Sequence, residues 1–114
     1  MIRFRILSAL SLVVLAACSP EASGDATVDV ELTDDHIVLT PETVSGNRIV
    51  FETTNTAAEL VHEIEVFSGA TAGAILPVDN SVADTAGLTL VDEIEDIVPG
   101  ASVTLTVDLE PGTY

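Results

Sequence analysis

Val98-Pro99-Gly100-Ala101-Ser102-Val103-Thr104-Leu105-Thr106-Val107-Asp108-Leu109-Glu110-Pro111-Gly112-Thr113-Tyr114 is the stretch whose reading decides the fold. Pro99-Gly100 is a turn pair, because proline presets φ at the second turn position and glycine supplies the positive φ needed at the third. From Ala101 to Leu109, four apolar residues (Val103, Leu105, Val107 and Leu109) alternate with polar ones, the period of a half-buried strand. Pro111-Gly112 is a second turn pair, and Tyr114 is expected to open another strand.

Period two continues backward through the chain. Val28, Val30 and Leu32 alternate with Asp29 and Glu31 in an expected first strand. Asp34-Asp35 reads as a turn, and residues 36–39 as a short second strand. A loop from Thr40-Pro41 to Ser45-Gly46-Asn47 leads to a third strand over 48–54, with Ile49, Phe51 and Thr53 on one face. Residues 60–67 alternate again, with Leu60, His62, Ile64 and Val66 on one side. Residues 68–88 are rich in Gly, Ala, Ser, Asp and Pro and read as a long connection with room for a helical turn. Leu88 to Ile97 is a further strand. No segment carries a helical period, so the expected class is all-β, a Greek-key antiparallel β-sandwich. There is no internal repeat and no second domain.

The first residues read as a targeting segment. Arg3 and Arg5 precede an apolar run, Ile6 to Ala17, that is short for a membrane span. Leu15-Ala16-Ala17-Cys18 resembles the lipobox of bacterial lipoproteins, in which the cysteine becomes the lipidated N-terminus. The expected organisation is a signal peptide over 1–17, a lipidated Cys18 with a flexible tether over 18–26, and a domain over 27–114. An ordinary secretory signal and an uncut anchor are the alternatives. That lipid would consume the chain's single cysteine, leaving a domain with no disulfide and no thiolate.

All 19 acidic residues follow Cys18, Arg48 is the only arginine after it, and the chain has no lysine. This excludes nucleic acid as a partner, since phosphate neutralisation needs clustered Lys and Arg. Acidity of this order either steers a basic partner such as a cytochrome, or reflects general solubility or adaptation to a salty medium where self-repulsion is screened.

Three ordered patterns resemble the cupredoxin family of small blue-copper proteins. They are Ile37-Val38-Leu39-Thr40-Pro41 with Val44 to Phe51; Thr54-Asn55-Thr56 followed by His62-Glu63-Ile64-Glu65-Val66; and Val98-Pro99-Gly100 with the run to Tyr114. The resemblance implies that Asn55 ties its loop to its neighbours and that His62 is the first copper ligand. It also implies that the strand opened by Pro111-Gly112-Thr113-Tyr114 leads to a Cys, a second His and a Met. Two imidazoles, a thiolate and a weak thioether make a type 1 copper site. Of these only His62 is present here; the expectation is that the last strand is missing and that copper binds only in a chain completed beyond Tyr114.

The function this implies is one-electron transfer by a lipid-anchored protein of the bacterial cell envelope. Its partners would be a cytochrome or a membrane electron-transfer complex. A copper-free cupredoxin-like module for metal uptake or envelope assembly, and a structural or adhesive sandwich lipoprotein, are the alternatives. Outside the resemblance, His62 reads more readily as a hydrogen-bonded structural histidine. His36, beside Asp34 and Asp35, reads as a solvated turn residue. Asp92-Glu93-Ile94-Glu95-Asp96 lacks the glycine and ligand spacing of a calcium loop and reads as a solvated strand face. No nucleophile elbow accompanies the Ser, His and Asp residues, so no enzyme is expected.

Overall fold

A computed structural model describes residues 24–80 and 82–114. Cys18, the apolar run Ile6 to Ala17 and most of the expected tether lie outside the described residues. Eight strands follow in order: β1 (Asp25–Leu32), β2 (Ile37–Thr40), β3 (Arg48–Asn55), β4 (His62–Ser68), β5 (Val78–Asp79), β6 (Val82–Ala83), β7 (Thr89–Ile97) and β8 (Ser102–Asp108). There is no helix among the described residues, and the all-β class holds.

The larger sheet has the order β2-β1-β3-β8. Its β1–β2 and β3–β8 pairs are antiparallel, but β1 and β3 run parallel over their full length, from Asp25↔Arg48 to Leu32↔Asn55. The sheet is therefore mixed, not antiparallel throughout as alternation suggested. The reason is the 41–47 segment. β2 folds back on one edge of β1 and ends opposite Asp29, and the chain then crosses the start of β1 to enter β3 on the other edge. Alternation reports which face is buried and carries no information on strand direction.

Pairing with Arg48 also draws β1 back to Asp25, into the segment read as tether. Gly24 N–H donates to Asn47 Oδ1 at 3.2 Å, closing that corner.

The second sheet pairs β4 with β7. Its register slips twice, between His62 and Ile64 and between Val66 and Phe67. In the first slip, Glu95 and Asp96 together oppose Glu63, and Asp96 adopts φ 56°, a left-handed conformation that a bulge residue takes. That extra residue is why Ile94 and Ile97, three apart, both turn inward. Ile97 is only 1% exposed.

Three expectations are corrected. Leu60 and Val61 lie outside β4 and are exposed, because the strand begins only where Ile97 offers His62 a partner. Among its described residues the 68–88 connection holds no helical turn; it includes the small β5–β6 hairpin, with Asn80 at φ 50° between the two strands. Tyr114 is not in a strand: its hydroxyl donates to Glu110 C=O at 2.8 Å and closes residues 110–114 on themselves.

The core lies between the two sheets. Val28, Val30, Leu32, Ile49, Leu105 and Val107 come from the larger sheet, and Ile64, Val66 and Ile97 from the smaller. Each is an inward position of an alternating strand, and burying nine such side chains at about 1.5–3 kcal/mol apiece supplies the main driving force. Arg48 Nε, 3.6 Å from Asp108 Oδ1 on an exposed edge, adds little.

Val98-Pro99-Gly100-Ala101 forms the anticipated turn, with Ala101 N–H donating to Val98 C=O at 3.0 Å and Gly100 at φ 81°. A Cβ on Gly100 would meet nothing within 4 Å. Gly100→Ala is therefore expected to cost only the backbone penalty, about 1–2 kcal/mol in urea denaturation. Gly100→Asn should recover part of it, and a cost near zero would contradict the turn assignment.

Candidate functional site

One end of the molecule gathers the last residue of β3, the 56–61 loop, the start of β4, the end of β7 and the β7–β8 turn. Asn55 holds them together. Its side chain is fully buried, at 0% exposure. The Nδ2 amide donates to Leu60 C=O at 2.8 Å and to Ile97 C=O at 2.7 Å, and Oδ1 accepts from Ala57 N–H at 2.9 Å. Its backbone N–H donates to Ala101 C=O at 3.0 Å, and its C=O accepts from Gly100 N–H at 2.8 Å. Every donor of this residue is used, and both oxygens accept.

The 56–61 loop is fastened on its other flank as well. Thr56 N–H donates to Leu32 C=O at 2.8 Å, Thr56 Oγ1 to Glu31 Oε1 at 2.9 Å, and Ala58 N–H to Asp34 Oδ1 at 3.2 Å. The loop is thus pinned to the end of the larger sheet, and it delivers His62 at the first position of β4, opposite Ile97.

The His62 ring is half-buried, and its Nε2 is shielded from solvent with no hydrogen-bond partner among the described residues. A buried ring nitrogen without a partner is uncommon, because an unmet polar atom costs about 1–3 kcal/mol. Thr53 Oγ1, two residues before Asn55 on the same face of β3, is another such side-chain atom. Around His62 stand Leu60, Val61 and Val98, exposed at 48%, 55% and 53%.

His36 sits at the same end, in the β1–β2 turn, where Thr33 N–H donates to its C=O at 2.9 Å. Its Nδ1 lies 2.6 Å from Asp35 Oδ1, with both side chains exposed. The structure does not bring it into a cluster with His62: among the described residues no three His, Cys, Asp or Glu side chains are placed to hold a metal ion. Copper in a type 1 site needs two imidazoles and a thiolate. The residues present supply one imidazole and so do not hold such an ion by themselves. Cys18 lies outside the described residues.

The outer face of the β4–β7 sheet is acidic. Glu65 pairs directly with Glu93, and Glu63 and Glu95 stand beside them. Partial desolvation, then repulsion from Glu63, Glu93 and Glu95, raises the Glu65 carboxyl above its ordinary value of 4.5. Asp92 to Asp96 are otherwise exposed apart from Ile94, as a solvated strand face requires.

Comparison with known protein families, with curated protein sequences and with solved structures finds no match for the chain.

Two outcomes follow from this geometry. Asn55→Ala would strand one buried carbonyl, one partly buried carbonyl and one buried N–H, and is expected to cost about 3 kcal/mol or more in chemical denaturation. Asn55→Asp keeps the acceptor but sets a carboxylate against two carbonyl oxygens, and should be no better at neutral pH. A loss under about 1 kcal/mol for both would contradict the role given to Asn55.

Because the folded state holds the Glu65 proton more tightly than the unfolded chain does, this group's favourable contribution is complete below the unfolded pKa. It is lost as pH rises through the raised value. Glu65→Gln should therefore raise the melting temperature at pH 7, and the gain should vanish below about pH 4 and shrink in high salt. A gain independent of pH would contradict the electrostatic cause.

Proposed function

We propose that the chain is the greater part of a cupredoxin-like electron-transfer domain, a Greek-key sandwich in which His62 is one imidazole ligand of a mononuclear copper. Asn55 acts as the residue that positions it. The thiolate and remaining ligands lie outside these 114 residues. The observation that carries this reading is the His62 Nε2, buried without a partner at the start of a strand whose position the Asn55 hydrogen bonds fix. A ring nitrogen held away from water, with no protein partner among the described residues, is free to take a metal.

Copper bound there would supply a one-electron couple. The chain's own contribution is to fix the ring, to exclude water from it, and to surround it with Leu60, Val61 and Val98 as an apolar surface for a redox partner. The surrounding acidity would steer a basic partner such as a cytochrome, raising the rate of encounter at low salt. A lipid at Cys18 would hold the domain at the outer face of a bacterial membrane, on a tether ending at β1.

A copper-free binding module is the second reading, favoured by the lack of a three-group metal cluster among the described residues. The two separate on one experiment: expressing the gene through its natural stop codon, adding Cu(II) and recording the visible spectrum. The copper reading expects an intense blue charge-transfer band that His62→Leu abolishes while circular dichroism stays unchanged. The 114-residue chain alone should stay colourless. A stop codon directly after Tyr114, a folded but colourless longer product, or a His62→Leu variant that stays blue would overturn it.

A further inference from the structure

The segment joining β4 to β7 opens with the longest uncharged stretch after Cys18: no acid or base stands between Glu65 and Asp79. Past the end of β4, its apolar side chains are left in water. Ile75 is 94% exposed, more than any other large apolar residue described, and Val78 is 66% exposed. A turn in which Ala74 N–H donates to Thr71 C=O at 2.9 Å immediately precedes Ile75. In the β5–β6 hairpin Val78 pairs with Ala83, and Asp79 with Val82. Residues directly opposite share a face and neighbours along a strand alternate, so Asp79 is turned away from the side that carries Val78. The Asp84 carboxylate is occupied within the loop, accepting from Ala86 N–H at 3.0 Å.

This loop leaves the sandwich at the end away from His62. β4 begins at His62 and ends at Ser68, opposite Thr89 at the start of β7. The chain from Cys18 enters at that same end. β1 starts at Asp25 and comes level with Asn55 only at Leu32, and Gly24 is fastened beside it by Asn47. Gly46 has no room for a Cβ, which would lie 2.9 Å from Gly24 C=O, and it lines one cavity together with Ala72 and Gly73 of the loop. Cys18 precedes Gly24 by six residues, a reach of at most about 20 Å. From there β1 carries the chain roughly 23 Å further, to the His62 end.

We infer that residues 70–78 form a lipid-docking loop. Ile75 and Val78 settle into the headgroup–acyl boundary of the membrane that holds Cys18, and His62 is turned toward the aqueous phase. The inference rests on the reading of Cys18 as a lipid anchor. Two apolar side chains make a weak membrane contact alone, but a tether this short renders the contact intramolecular. The lipid surface it fits is zwitterionic. Asp25 and Asp108 flank Arg48 at this end, and Glu42 and Glu110 line the cavity beside Gly46. All four acids are exposed, so an anionic surface repels this end at low salt. The partner that meets His62 then arrives from water and not from within the bilayer.

The chain has no tryptophan, so a single introduced one reports its own position. The full chain carrying Ile75→Trp or Val61→Trp is expressed with its signal and reconstituted on phosphatidylcholine vesicles, and quenching by brominated acyl chains is read. Mass spectrometry reports whether Cys18 carries lipid. Where it does not, its thiol, the only one in the chain, is coupled to a maleimide lipid, so that failure of the anchor reading leaves the docking test intact. Quenching of Ile75→Trp should exceed that of Val61→Trp at least five-fold. Adding Val78→Asp should at least halve it with circular dichroism unchanged. Phosphatidylglycerol should weaken it at low salt, and added salt should restore it. Equal quenching at the two positions, or stronger quenching of Val61→Trp, overturns the orientation. Quenching indifferent to Val78→Asp overturns the role of the loop, and quenching strengthened by phosphatidylglycerol overturns the choice of lipid. Blue-shifted emission without quenching, growing with the density of chains on the vesicle, would assign the loop to a second copy and overturn lipid docking.

Discussion

The fully buried amide of Asn55 is the constraint on which the rest of the structure depends. Two sheets packed only through apolar side chains have no fixed end, because hydrophobic burial is not directional. Asn55 supplies direction. It closes β3 of one sheet onto Ile97 of the other, holds the β7–β8 turn by its backbone, and holds the 56–61 loop by its side chain. Each of these bonds is modest beside water, but each would be expensive to leave unmade in a buried setting. One residue therefore sets both the sandwich's closed end and the place where His62 enters β4.

The opposite end is open by the same logic. The domain has no cysteine pair among its described residues, and its exposed ion pairs are weak. Stability rests on apolar contact, and that contact is dense where β7 and β4 cover β8, β3 and part of β1. It thins out toward β2. The two ends of the strands thus differ: one is closed by the Asn55 hydrogen bonds and presents His62, and at the other residues 109–114 border open cavity space. The acidic outer face of the smaller sheet stands apart from both, and its mutual repulsion is a cost the fold bears at neutral pH.

Much of this was legible in the residues. The alternation of Val28, Val30 and Leu32, or of Val103, Leu105 and Val107, named the buried face because a strand exposes its sides by turns. Pro99-Gly100 named its turn because few other pairs fit that geometry. Asn55 and His62 stood out through resemblance, and the hydrogen bonds that make Asn55 central reach as far along the chain as Ala101, which no local pattern reports. The parallel β1–β3 pair escaped notice because a crossing segment reads like any other loop. The bulge at Asp96 had a signal, two inward isoleucines three apart instead of two, that strict alternation passes over. Leu60 was read into a strand because its spacing fits, yet the ladder starts only where a partner exists.

The most direct measurement is native-state hydrogen exchange of the Ala57 and Gly100 amides across a series of denaturant concentrations, both of which donate to Asn55. If Asn55 is the common anchor of both sheets, these two amides open only with the core strands. Their opening free energy and denaturant dependence should match those of β3. Exchange by a local, denaturant-insensitive opening, while β1 and β3 stay protected, would show that the loop and turn hang on the sandwich without holding it, and would contradict the account.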